Sequence, residues 1–143
     1  WDWGIGNILV RPEEGTFSLP SNGVNLYFNM AVNFIENVGD MQCAMVLSFQ
    51  EDENGDGVFD SNTEDAYPFE YWYQNEGWQL MSINYNDLQF DAEGNQVDVL
   101  GNGLPEPSKL IGIDIIYIAN KDGGKSKALI DHLIFTTDGP YTP

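Results

Sequence analysis

The densest run of possible ligands in the chain is Asp52-Glu53-Asn54-Gly55-Asp56-Gly57-Val58-Phe59-Asp60. Asp52, Asn54, Asp56 and Asp60 set oxygen side chains two or four residues apart, and Gly57 follows the third of them. This spacing lets a short loop curl round one hard cation, with the Val58 carbonyl as a further donor. The start fits the EF-hand pattern D-x-[DN]-x-[DN]-G. The end departs from it, because the twelfth position from Asp52 is Thr63, where an EF-hand carries a bidentate Glu. Glu64 and Asp65 follow, and either can close the shell in another geometry. The expected ion is Ca²⁺. The competing reading is an acidic hairpin loop that binds nothing, but like charges this dense repel unless a cation offsets them.

A second set of residues suits a neutral, hydroxyl-rich ligand. Between residues 24 and 35, Val24, Leu26, Phe28, Met30, Val32 and Phe34 alternate with a line that holds Asn25, Tyr27, Asn29 and Asn33. Period two means a strand with one face in the core. Amides on the other face offer both donors and acceptors, where an ordinary solvated face is the alternative. Between residues 67 and 74, Phe69, Tyr71 and Tyr73 share one face, while Glu70, Trp72 and Gln74 share the other. A Trp among polar neighbours is a sugar-stacking candidate, with burial in a second core as the alternative. Trp1 and Trp3 either extend such a platform or pack the N-terminal segment onto the body.

Catalytic signatures are sparse. His132 is the only histidine, and it sits inside a predicted strand. A histidine-cluster metal site is therefore excluded. Glycosidase chemistry needs two carboxylates at a set separation; acids abound here, but no pair is marked out. Cys43 is the only cysteine, so no internal disulfide forms, and its apolar setting reads as core.

The elements that must position these residues read as strands throughout. They are expected over residues 8–11, 24–35, 41–50, 67–74, 77–83, 110–119 and 127–136, separated by Gly, Pro, Asn and Asp turn signals. Trp78 opens the fifth of them and reads as core. The run from Leu110 to Ile118 is nearly all apolar, which predicts a central strand covered on both faces. Lys121-Asp122-Gly123-Gly124-Lys125 reads as a hairpin turn. No helical period is present. The expected fold is an all-β antiparallel sandwich.

At 143 residues the chain is one domain, and 42% hydrophobic residues are enough for a core. The formal charge is −18, from 23 acids against 5 bases. That argues against nucleic acid, anionic membranes and polyanionic ligands as partners. No run approaches the length of a membrane span. The chain opens on Trp1 without a Met, which reads as a mature fragment or a module of a larger protein.

The order of these features resembles β-jelly-roll carbohydrate-binding modules. The nearest likeness is to the C-terminal glycan-binding domains of surface glycan-binding lipoproteins from Bacteroidota. It rests on the acidic loop after a strand, then Gly77-Trp78-Gln79-Leu80-Met81-Ser82-Ile83 before Asp87-Leu88. A Gly/Pro loop follows, and the close is Ile130-Asp131 with Phe135-Thr136. It spans roughly residues 43–140. The resemblance implies a jelly roll, a structural calcium, a location outside the cell on the cell surface, and a monomeric module that binds a polysaccharide or oligosaccharide without cleaving it. The ligand residues it would use are Trp72, Tyr27, Asn25, Asn29, Glu70 and Gln74, provided the two strands share a sheet. A neutral β-glucan such as laminarin is the expected ligand. The alternatives are a jelly-roll glycosidase or lyase fragment, and an adhesive module that binds protein.

Overall fold

The computed structural model describes residues 4–38, 44–72, 77–119 and 125–143. Seven strands form: β1 Gly4–Val10, β2 Tyr27–Val38, β3 Ala44–Glu51, β4 Ala66–Trp72, β5 Trp78–Asn84, β6 Leu110–Ala119 and β7 Lys125–Thr136. They make two antiparallel sheets. One has the order β1-β6-β3-β4 and the other β5-β2-β7. The all-β sandwich read from the sequence is the fold observed.

Alternation in β2 makes the core. Phe28, Met30, Val32 and Phe34 are buried, and they face Met45, Leu47 and Phe49 of β3 and Ile113 and Ile115 of β6. Phe28 meets Phe49 edge to face with ring centroids 5.3 Å apart. Each such side chain, fully buried, contributes roughly 1.5–3 kcal/mol.

Three expectations need correction. β2 begins three residues later than its hydrophobic pattern suggests. Asn22 Oδ1 accepts the Val24 N–H at 2.8 Å, and the Leu26 N–H reaches the Gly23 carbonyl at 3.1 Å. This turn uses up residues 22–26 before the ladder starts. Next, β6 and β7 lie in different sheets, so the 121–125 segment does not close a hairpin; residues 120–124 themselves lie outside the described residues. Finally, β6 is central in its sheet, paired with β1 and β3, but only one face is fully covered: Ile113 and Ile115 are buried, while Ile116 and Ile118 are half-buried.

The β2–β7 ladder carries a bulge. Asn29 pairs with Ile134 and Ala31 with Asp131, so β7 holds one residue more than β2 across this step. His132 takes up the extra length at φ 62, a left-handed conformation uncommon for a residue with a Cβ.

The long connections gather at one end. Strand β3 runs into the acidic loop, and β5 runs into a short 3-10 helix, Tyr85–Gln89, capped by Asn84, whose side chain accepts the Asn86 N–H. Residues 91–109 then return over the acidic loop, where the Asp52 N–H donates to the Lys109 carbonyl at 3.0 Å.

Candidate functional site

The acidic loop is built by its own side chains. Asp52 Oδ1 accepts the N–H groups of Gly55 and Asp56, and Oδ2 accepts that of Gly57 at 2.8 Å. Gly55 and Gly57 sit at φ 77 and 85, which their lack of a Cβ permits. Asn54, Asp56 and Asp60 each accept the N–H two residues on. The Asn62 N–H, reinforced by its side-chain amide, holds the Asp60 carboxyl below the usual range. The donors are all oxygen, the set that suits calcium.

Glu64 and Asp65 part company here. Glu64 turns into the loop, where it is buried and accepts the Asn54 and Asp60 N–H groups at 3.2 and 2.8 Å. Asp65 turns away. Its carboxylate receives the Gly101 and Gly103 N–H groups at 2.6 and 2.7 Å and the Tyr67 hydroxyl at 2.9 Å. Glu64 therefore closes the loop's own hydrogen bonds, and Asp65 turns to the 101–103 segment. Val58 is exposed. Among the described residues, no three His, Cys, Asp or Glu side chains are grouped so that they could hold a metal ion.

The predicted ligand face divides. β2 and β4 lie in different sheets, so Trp72 and Glu70 do not share a platform with Tyr27, Asn25 and Asn29. Asn29 is 0% exposed. Its Nδ2 donates to Thr136 Oγ1, while its Oδ1 accepts the Ser82 hydroxyl and the Tyr141 N–H at 2.7 and 2.9 Å. The chain's last residues cover it, which removes it from ligand contact. Tyr27 is half-buried, and Asn25 is exposed in the turn before β2, beside a small pocket with Pro20 and Thr137. Trp1, Trp3 and Gln74 lie outside the described residues, as does Cys43.

Trp72 and Glu70 do meet. Trp72 is 46% exposed at the end of β4, and its Nε1 donates to Glu70 Oε2 at 3.3 Å. The strand alternates as predicted, with Tyr67 buried, Phe69 and Tyr71 turned to the core, and Pro68, Glu70 and Trp72 outward. Strand β4 edges one sheet and β5 the other. Tyr71 Oη ties the two edges by donating to Gln79 Oε1 at 2.8 Å. Beside this tie a groove of about 740 Å³ runs between β4 and the segment after β5, with Glu70, Trp72, Asp87, Phe90, Asp91 and Glu93 in its walls. Phe90, 46% exposed, is a second aromatic that the sequence did not single out. Asn95, through its side chain and its backbone N–H, holds Asp91 below the usual carboxylate range.

Trp78 is not core. It is 53% exposed on the outer face of the three-stranded sheet, where it pairs with Asn33 and shares a pocket of about 340 Å³ with Leu80, Asp131, His132 and Tyr141. The His132 ring lies 4.3 Å from that of Tyr141, and its Nε2 is buried without a hydrogen-bond partner. The signal for Trp78 was present in its parity with Leu80 and Ser82, both outward on β5.

No family model, curated protein or solved structure matches this chain.

Proposed function

We propose that this domain binds a neutral polysaccharide without cleaving it, in the groove that Trp72 and Phe90 line. The observation that carries the reading is an exposed Trp set beside carboxylates in a groove of about 740 Å³. Pyranose rings stack their C–H faces on aromatic rings, and their hydroxyls donate to carboxylate oxygens. The Trp72 indole already leans on Glu70, which fixes the ring for stacking. Glu70, Asp87, Asp91 and Glu93 repel polyanions, as does the overall charge of −18. This favours neutral glycans, with a laminarin-like β-glucan first among them. The resemblance adds the context of a monomeric module in a larger protein on the outside of the cell.

Calcium belongs to this reading as a structural ion. Asp52, Asn54, Asp56, the Val58 carbonyl, Asp60 and Glu64 are the residues that would hold it. It would supply positive charge to a loop that otherwise gathers acids, and would fix the loop without touching the glycan.

Affinity electrophoresis against soluble polysaccharides tests the function. Retardation by one neutral glycan with no release of reducing ends is the expected result. Released reducing ends would make it a hydrolase, and no retardation by any glycan would leave protein adhesion as the better account.

A second reading puts the glycan on the Trp78 face. The strained backbone of His132 and its unpartnered Nε2 favour it, since such strain gathers at functional sites. Trp72→Ala and Trp78→Ala, run side by side, separate the two.

A further inference from the structure

The outer face of the four-stranded sheet carries an apolar band open to water. The registers of β1, β6, β3 and β4 set its residues in rows across the strands. Ile5 pairs with Ile118, and Ile118 and Trp72 both pair with Ala44. The next outward row is Asn7, Ile116, Val46 and Glu70, and the one after it is Leu9, Asp114, Ser48 and Pro68. These rows face away from the core, because the alternate β6 residues Ile113 and Ile115 are buried in it. Ile5, Leu9 and Trp72 are 66%, 41% and 46% exposed, while Ile116, Ile118 and Val46 are half-buried.

Charge avoids this face. The chain has 23 acids, yet among the described outward positions of these four strands only Glu70 and Asp114 are charged. Single exposed apolar side chains are ordinary, but a contiguous set depleted of charge marks a contact surface.

We infer that this face binds a second copy of the chain, sheet against sheet, about a two-fold axis parallel to the strands and midway between β6 and β3. Such an axis keeps each row level and reverses the strand order. Strand β1 then lies over the copy's β4, and β6 over the copy's β3. The rows match under this operation. Ile5 meets the copy's Trp72, Leu9 its Pro68, and Ile116 its Val46. Asn7 donates one amide hydrogen to Asp114 of its own chain at 3.1 Å and has a second for the copy's Glu70. The Ser48 hydroxyl stands opposite the copy's Asp114. Neither acid meets an acid, and every contact occurs twice, as an isologous interface requires. Aligned sheets of this kind pack within about 30° of each other. Four strands about 4.8 Å apart, with a rise of about 3.3 Å per residue, make a face roughly 20 Å on a side. That is about half of the ~800 Å² per partner in a standard interface, so the dimer is weak and the dilute domain is a monomer. The net charge of −18 opposes association, and salt screens that repulsion. The inference does not depend on glycan binding or on calcium.

Sedimentation equilibrium in EDTA, without glycan, tests it from micromolar to millimolar protein. The expected result is a monomer that becomes a dimer with rising concentration, and at lower concentration when salt is added. Ile5→Lys, at an exposed edge-strand position, and Ile118→Lys should each weaken association by about tenfold or more, with a thermal melt confirming the fold. Cross-linking reads the register in a Cys43→Ala background. Leu9→Cys mixed with Pro68→Cys should give a disulfide-linked dimer under mild oxidation, whereas Leu9→Cys alone should not. A monomer throughout the concentration range overturns the inference. So does a dimer that Ile5→Lys and Ile118→Lys leave intact, or one in which Leu9→Cys links to itself as readily as to Pro68→Cys.

Discussion

Trp72 donates its indole N–H to Glu70 Oε2, two residues back on the same outward face of β4. The bond holds a large ring upright at the rim of a groove, with nearly half its surface in water. A ring kept so exposed adds little to the core. Trp72→Ala should therefore cut glycan affinity by about tenfold or more, equivalent to roughly 1.4 kcal/mol, and leave the stability within about 0.5 kcal/mol of wild type. Affinity electrophoresis and a thermal melt on the same preparation check both parts. Wild-type affinity in this variant would put the glycan elsewhere, with Trp78 the next residue to change.

How much of this was legible in the sequence depends on the range of the interaction. The parity of β4 was readable, because alternation is a local property of a strand. So was the acidic loop, most of whose hydrogen bonds join residues two to five apart. Sheet membership was not readable. Nothing in the residues of β2 and β4 says that they lie in opposite sheets, and the joint platform of Trp72 and Asn29 failed for that reason. Asn29 was misplaced by a contact 112 residues away, the Tyr141 N–H. Glu64 and Asp65 are neighbours with opposite directions, and only the 101–103 loop, nearly forty residues on, decides which of them leaves the acidic loop.

Asn29 supplies the second prediction. It bridges β2, β5, β7 and the C-terminal tail through one amide. Removing that amide takes the partner from the Ser82 hydroxyl and the Tyr141 N–H and empties a fully buried position. Asn29→Ala should cost roughly 2–3 kcal/mol, read as a lower urea midpoint. Asn25→Ala, in an exposed turn, should stay within about 0.5 kcal/mol. Equal effects from the two would mean that the tail does not seal Asn29.

Chelation gives the third. An ion that binds only the folded chain adds about 2.7 kcal/mol at a hundred times its dissociation constant. For a chain of this length that corresponds to a melting temperature about 5–10 °C higher with calcium than with EDTA. Asp56→Asn should shrink the difference, since Asp56 is exposed and its carboxylate accepts only the local Val58 N–H, which an amide oxygen can also accept. An identical melt with and without EDTA would count against calcium in the Asp52–Asp60 loop.

The pH dependence of the calcium-free protein is the fourth, and Glu51 sets its sign. Burial lifts this carboxyl from 4.5 to about 7. The folded chain thus holds a proton that the unfolded chain gives up between those values. Glu51's contribution to stability is full below about 4.5 and is lost as pH rises through 7. On the order of 3 kcal/mol is at stake at most. Asp60, Asp91 and Glu106 are shifted the other way, so their contributions are present above the ordinary carboxylate range and lost only in acid. Between pH 5 and 7.5 the slope is then dominated by Glu51. In EDTA, the wild-type melting temperature should fall across this window, and that of Glu51→Gln should stay nearly level. Parallel slopes for wild type and Glu51→Gln in EDTA would show that Glu51 is already ionised in the empty fold.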